Sequence, residues 1–123
     1  MSTNVSNNMI ELTRGDSAKY PLFINEGSDL CPTRYDIDEK DELYLGIMEP
    51  NQPFECALVK KKYNKNTLKY DDCGNILIKI EPEDTVALIP GKYYYQIKLR
   101  KYVAENDYDV ITIIDKTEFW MQE

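Results

Sequence analysis

The chain has 123 residues, 42% hydrophobic and 30% charged, enough apolar side chain to close one core and too much for a disordered segment. Fifteen basic against 22 acidic residues leave a formal charge of -7, a field that repels phosphate backbones and excludes nucleic acid as a partner. No apolar run approaches the roughly 20 residues of a bilayer span, so no membrane partner is expected.

Residues 1–8, Met1-Ser2-Thr3-Asn4-Val5-Ser6-Asn7-Asn8, lack the basic and apolar regions of a secretory signal and read as a flexible leader to a single domain over 9–123. Met9 to Thr13 alternates, with Ile10 and Leu12 on one face. Arg14-Gly15-Asp16-Ser17 supplies turn residues, and its Arg-Gly-Asp tripeptide reads as a hairpin rather than an adhesive motif. Ala18 to Asn25 alternates again, and Pro21, which cannot donate to a ladder, marks an edge or a change of partner. Gly27 to Lys40 is a long polar connection containing Pro32.

Glu42 to Met48 buries Leu43, Leu45 and Ile47. Glu49-Pro50-Asn51-Gln52-Pro53 is a turn, because two prolines forbid a regular element. Cys56 to Tyr63 follows as a strand, with Cys56 at its start. Its Lys60-Lys61-Lys62 run reads as a solvated strand face, or failing that a dock for an acidic surface. Asp71-Asp72-Cys73-Gly74-Asn75 is hairpin-turn chemistry, and Ile76, Ile78 and Ile80 form the buried face of the strand after it.

Pro82 followed by Glu83 and Asp84 suits the first turn of one short helical turn near 82–88. Leu88 then plugs the core, and Pro90-Gly91 turns the chain into the strongest strand, Lys92 to Arg100. Tyr93, Tyr95, Ile97 and Leu99 lie on its inner face, and Tyr94, Gln96, Lys98 and Arg100 on the other. A polar loop at Glu105-Asn106-Asp107 leads to Val110 to Ile114 and on to Phe119 and Met121. No segment sustains a 3.6-residue apolar period. About seven short strands therefore predict an all-β, antiparallel sandwich, and the corner defined by Asp84, Leu88, Pro90, Gly91 and Tyr93 resembles the one before the sixth strand of immunoglobulin-like and fibronectin-type domains, which implies an immunoglobulin-like sandwich.

The chemistry-bearing residues argue against catalysis. With no histidine, the commonest general base and every Ser-His or Cys-His pair are missing. Cys31, Cys56 and Cys73, spaced by 25 and 17 without a Cys-x-x-Cys pair, read as reduced thiols and leave a zinc shell short of ligands. The acidic stretch Asp36, Asp38, Glu39, Asp41 and Glu42 lacks the spacing of a calcium loop and reads as a solvated loop rather than a carboxylate active site. Neither cofactor nor metal is expected. A small hydrolase, the third class weighed, would need two of these carboxylates converging in a pocket.

Ten tyrosines and Trp120 exceed what the inward positions absorb. If Phe119 and Met121 point inward, alternation turns Trp120 outward, onto the face of Tyr94 and Gln96. These three are the expected interaction residues, because exposed aromatics are enriched at protein interfaces. A bulge near Asp115-Lys116 would invert that assignment.

Taken together, Leu12-Thr13-Arg14-Gly15-Asp16-Ser17, Asp41-Glu42-Leu43-Tyr44-Leu45-Gly46-Ile47, Pro82-Glu83-Asp84-Thr85, Leu88-x-Pro90-Gly91-x-Tyr93-x-Tyr95 and Ile111-Thr112-Ile113 carry a resemblance. Their order over residues 9–121 is similar to that in small immunoglobulin-like domains of tailed-phage and prophage tail proteins, including the N-terminal domain of baseplate upper proteins. The resemblance implies a structural or adaptor role in a tail or baseplate, with other tail proteins or a second copy of the chain as partner and no catalytic residues. It also implies synthesis in a bacterial cytoplasm and association with a virion. The competing expectation is a free-standing binding module, for carbohydrate among other ligands, using the surplus tyrosines.

Overall fold

Strict alternation produces strands where one face can be buried against a second sheet. The computed structural model describes residues 9–28, 30, 31 and 33–123; the leader assigned to 1–8, and Pro32 of the long connection, lie outside them. Among the described residues the elements are β1 (Ile10–Thr13), β2 (Ala18–Leu22), β3 (Glu42–Met48), a 3-10 turn (Phe54–Cys56), β4 (Val59–Tyr63), β5 (Lys69–Tyr70), β6 (Ile76–Ile80), α1 (Pro82–Thr85), β7 (Gly91–Ala104) and β8 (Asp107–Gln122).

They make a five-stranded sheet in the order β1-β8-β7-β3-β4 and a three-stranded sheet in the order β2-β6-β5. The pairings are antiparallel except that of β1 with β8, which is parallel. The chain is an all-β sandwich in which β2, β6 and β5 stand where strands B, E and D do in immunoglobulin-like domains, and β8, β7, β3 and β4 where G, F, C and C′ do. β5 is the strand that alternation does not reveal, being two residues long. Pro21 sits on β2, an edge strand of the smaller sheet.

The core lies between the sheets and takes the predicted inward residues: Ile10 and Leu12, Leu43, Leu45 and Ile47, Ile76, Ile78 and Ile80, and Tyr93, Tyr95, Ile97 and Leu99. Phe119 and Met121 join them from β8, with the Phe119 ring edge-on to Tyr95 at 6.5 Å. At the corner Leu88 is buried, Gly91 takes φ 153°, open to glycine, and the Tyr93 hydroxyl donates to the Ile89 carbonyl at 2.7 Å. Asp84 holds the turn before it, accepting the Glu81 backbone N–H at 2.7 Å.

Several local expectations change. Arg14-Gly15-Asp16 is no hairpin, because it carries the chain from β1 in one sheet to β2 in the other. Cys56 closes the 3-10 turn instead of opening β4; Cys31, Cys56 and Cys73 are all free and exposed. The lysine run is split by the strand period. Lys60 and Lys62 are exposed, whereas Lys61 turns inward to Asp84 at 2.7 Å and to the Lys79 carbonyl at 2.9 Å, tying β4 to the smaller sheet.

The acidic stretch also divides. Asp36, Asp38 and Glu39 are exposed, but Asp41 is wholly buried. Glu42 meets Lys62 at 2.8 Å, the Tyr44 hydroxyl at 2.7 Å and Arg100 at 3.1 Å, contacts that lower its pKa to about 2. An acid depressed from 4.5 stabilises the fold fully above its unfolded pKa and loses that contribution as pH falls toward 2. Denaturant titrations of wild type and Glu42→Gln are therefore expected to differ by about 1 kcal/mol at neutral pH, discounted for screening at a solvated rim, and to converge near pH ~2.

Candidate functional site

The candidate site is the outer face of the five-stranded sheet, built where β7 and β8 run antiparallel with Lys92 opposite Trp120 and Tyr94 opposite Glu118. These four residues form one preset cluster. The Lys92 ammonium lies 5.2 Å from the Tyr94 ring centre, 5.8 Å from that of Trp120 and 3.5 Å from the Glu118 carboxylate. The Trp120 indole N–H donates to Glu118 at 2.9 Å and, ahead of Lys92, lowers the Glu118 pKa. Both rings thus have charged neighbours, and Trp120 remains 37% exposed whereas Tyr94, opposite Met48, is half-buried. Rigid aromatics beside paired charges suit contact with another protein surface, offering apolar area at little entropic cost.

Trp120 points outward beside Tyr94 although β8 is bulged. The pairings run Tyr95–Thr117, Ile97–Ile114 and Lys98–Thr112, so β8 carries two separate one-residue insertions. Two insertions restore the parity that one would invert, and Leu99 again faces Ile111 beyond them. Ile113 and Ile114 both reach the core edge as a result.

Gln96 shares the face but not the exposure. It is buried, and its amide donates to Asp115 at 2.9 Å. The cause is the segment after β3. Phe54 lies over Gly46, the partner of Gln96, so closely that a Cβ on Gly46 would stand 2.6 Å from the ring. Lys60 and Lys98 flank the same ring at 5.2 and 5.1 Å, and Lys116 donates to the Gln52 carbonyl at 2.9 Å. Met48, opposite Tyr94, is fully buried outside the inter-sheet core. This half of the face is therefore roofed, leaving Tyr94 and Trp120 at the margin of the roof. The Pro50 and Pro53 turn is visible in the sequence, but its folding back over the sheet is not. A hollow of about 230 Å³ beside the roof is lined by Tyr44, Phe54, Lys60, Lys98 and Arg100.

Among the described residues no group of three or more Cys, Asp or Glu side chains is placed to hold a metal ion, and no helix is long and apolar enough to cross a membrane. In comparisons with known proteins, the chain matches no family model and no curated protein.

Proposed function

We propose that this chain is a non-enzymatic structural or adaptor protein of a phage or prophage tail or baseplate assembly, built in the bacterial cytoplasm, associated with the virion and acting by protein–protein contacts. The observation that carries the reading is the Lys92, Tyr94, Glu118 and Trp120 cluster, an ordered aromatic and charged patch on a sheet face. The resemblance across residues 9–121 supplies the type of assembly. Such patches serve as interface anchors because they lose little side-chain freedom on docking.

Light scattering across a concentration series is expected to show a wild-type oligomer that becomes a monomer in Trp120→Ala. A wild type that stays monomeric at every concentration overturns self-association through this face. A second reading, a free-standing carbohydrate-binding module, draws on the hollow beside Tyr44 and Phe54. A monomer that binds a neutral oligosaccharide, and loses it in Tyr44→Ala, would establish that reading instead.

A further inference from the structure

Beside the roof, the hollow of about 230 Å³ on the outer sheet face takes its shape from the strand register. On β3, Tyr44 stands between Lys62 of β4 and Lys98 of β7, and Gly46, opposite Lys60, offers no side chain. The Phe54 ring fills the space over Gly46, and the hollow lies between that ring, Tyr44 and Val110.

Three cationic side chains, Lys60, Lys98 and Arg100, converge on it. The Lys60 and Lys98 ammoniums lie 5.2 and 5.1 Å from the centre of the Phe54 ring. They therefore stand within about 10 Å of each other, no more than a Debye length at moderate salt. Among the described residues neither meets a carboxylate, whereas Lys61 and Lys62 on the same strand meet Asp84 and Glu42. Arg100 reaches Glu42 from Nη1 at 3.1 Å, and its fork has further donors.

The nearby acids do not balance these charges. Glu42 is shared between Lys62 and Arg100, and Glu55 stands exposed on the rim. Further along the face, Asp115 is bound by the Gln96 amide and followed in sequence by Lys116. Asp109 alternates to the other face, opposite Lys101. Four cations, Lys60, Lys62, Lys98 and Arg100, thus stand against two acids, Glu42 and Glu55, on a chain whose formal charge is -7.

Like charges this close repel one another, and an anion between them removes the repulsion. The aromatic rings here already carry cations. Lys60 and Lys98 flank Phe54, which packs on Gly46, and the Arg100 guanidinium lies over Tyr108 at 3.9 Å. What the hollow offers is converging N–H donors beside apolar walls, the complement of a carboxylate on a short apolar stem.

We propose that this hollow receives a glutamate or aspartate side chain from an acidic segment of a partner protein, held by Lys60, Lys98 and Arg100. This deepens the assembly reading, on which it rests, by adding a second contact on the same sheet face and stating its chemistry. It also divides the work of the lysine run: Lys61 ties the sheets together through Asp84, and Lys60 faces the partner.

The test titrates the full chain into two fluorescent peptides by anisotropy, one of glutamate alternating with glycine and serine, the other with glutamine at each glutamate. The glutamate peptide is expected to bind at least ~10-fold more tightly at low salt, against the chain's net charge, with the gap narrowing at high salt. Lys60→Gln with Lys98→Gln should lose ~10-fold or more, and Lys60→Arg with Lys98→Arg, which keeps the charge, should retain binding within ~3-fold. Lys69→Gln, an exposed change on β5 of the other sheet, should leave the affinity in place, with thermal midpoints confirming that each variant folds. Trp120→Ala should also bind the peptide normally, which separates failure at the hollow from failure of the Trp120 interface. Equal binding of the two peptides, no binding, or an equal loss in Lys69→Gln overturns the proposal. So does a galacturonic acid trimer that binds more tightly than the peptide and is lost in the glutamine variant, which would make an acidic sugar the occupant. Self-association that survives Trp120→Ala and disappears in the glutamine variant would overturn it too, assigning the hollow to a second copy of the chain.

Discussion

Asp41→Ala is expected to lower the unfolding free energy by about 2–4 kcal/mol, because one buried carboxylate serves three donors from two parts of the chain. The Tyr35 hydroxyl and the Asp38 backbone N–H, the latter at 2.9 Å, both donate to Oδ2; the Tyr102 backbone N–H donates to Oδ1 at 2.8 Å. Asp41 thereby fastens the long connection before β3 to the far end of β7. Burial, and after it the bond to Asp41, raises the Tyr35 pKa, so the phenol remains a donor across the neutral range. Alanine leaves all three donors without their acceptor, each at a cost of about 1–3 kcal/mol less whatever water recovers. Asp41→Asn retains one acceptor oxygen but turns an amide N–H₂ toward other donors, and should recover only part of the loss. Denaturant unfolding gives the magnitude, and faster exchange of the Tyr102 amide in both variants locates it. A loss under about 0.5 kcal/mol in Asp41→Ala would mean that water replaces the carboxylate and that the clamp is not structural.

The second large effect is at Phe119. Its side chain is wholly buried, its backbone pairs with Ile10 on one side and Tyr93 on the other, and its ring meets Tyr95 edge-on. Phe119→Ala should cost about 3–5 kcal/mol, the range for removing a core aromatic when the surroundings only partly collapse. With an unfolding entropy near 2.1 cal/mol/K per residue, that lowers the thermal midpoint by about 12–20 °C. Phe119→Leu, which keeps most of the volume, should lose less than half as much. A calorimetric scan checks both. Equal losses in the two variants would show that the edge-on ring contact, not filled volume, dominates here.

The sheet strands were legible because a strand buried on one face must alternate, and a one-residue error would exchange core for solvent. Leu43, Leu45 and Ile47, Ile76, Ile78 and Ile80, and Tyr93 through Leu99 each carry the period 2 that such burial demands. The corner was legible for a similar reason. Pro82, Leu88, Pro90, Gly91 and Tyr93 act over a few residues, and the Tyr93 bond spans only four positions.

The candidate face was half legible. Alternation placed Trp120 beside Tyr94, but the side of β8 depended on whether its bulges number one or two, which the composition of Asp115-Lys116 does not state. The same period sets Lys60, Lys61 and Lys62 on opposite faces, yet nothing local says that Lys61 finds Asp84 across the sandwich.

By itself, the sequence determined the class of fold, the inward set of each regular strand, the turn positions and the absence of histidine chemistry, all of which depend on neighbours in the chain. Only the tertiary structure decided the fate of polar groups whose partners are remote: Asp41, which reaches Tyr102 across 61 positions, and Gln96, which meets Asp115 beneath the roof of the 49–58 segment. The physical reason is that burying a polar group is tolerable only where a partner meets it, and that partner is supplied by the packing of distant segments.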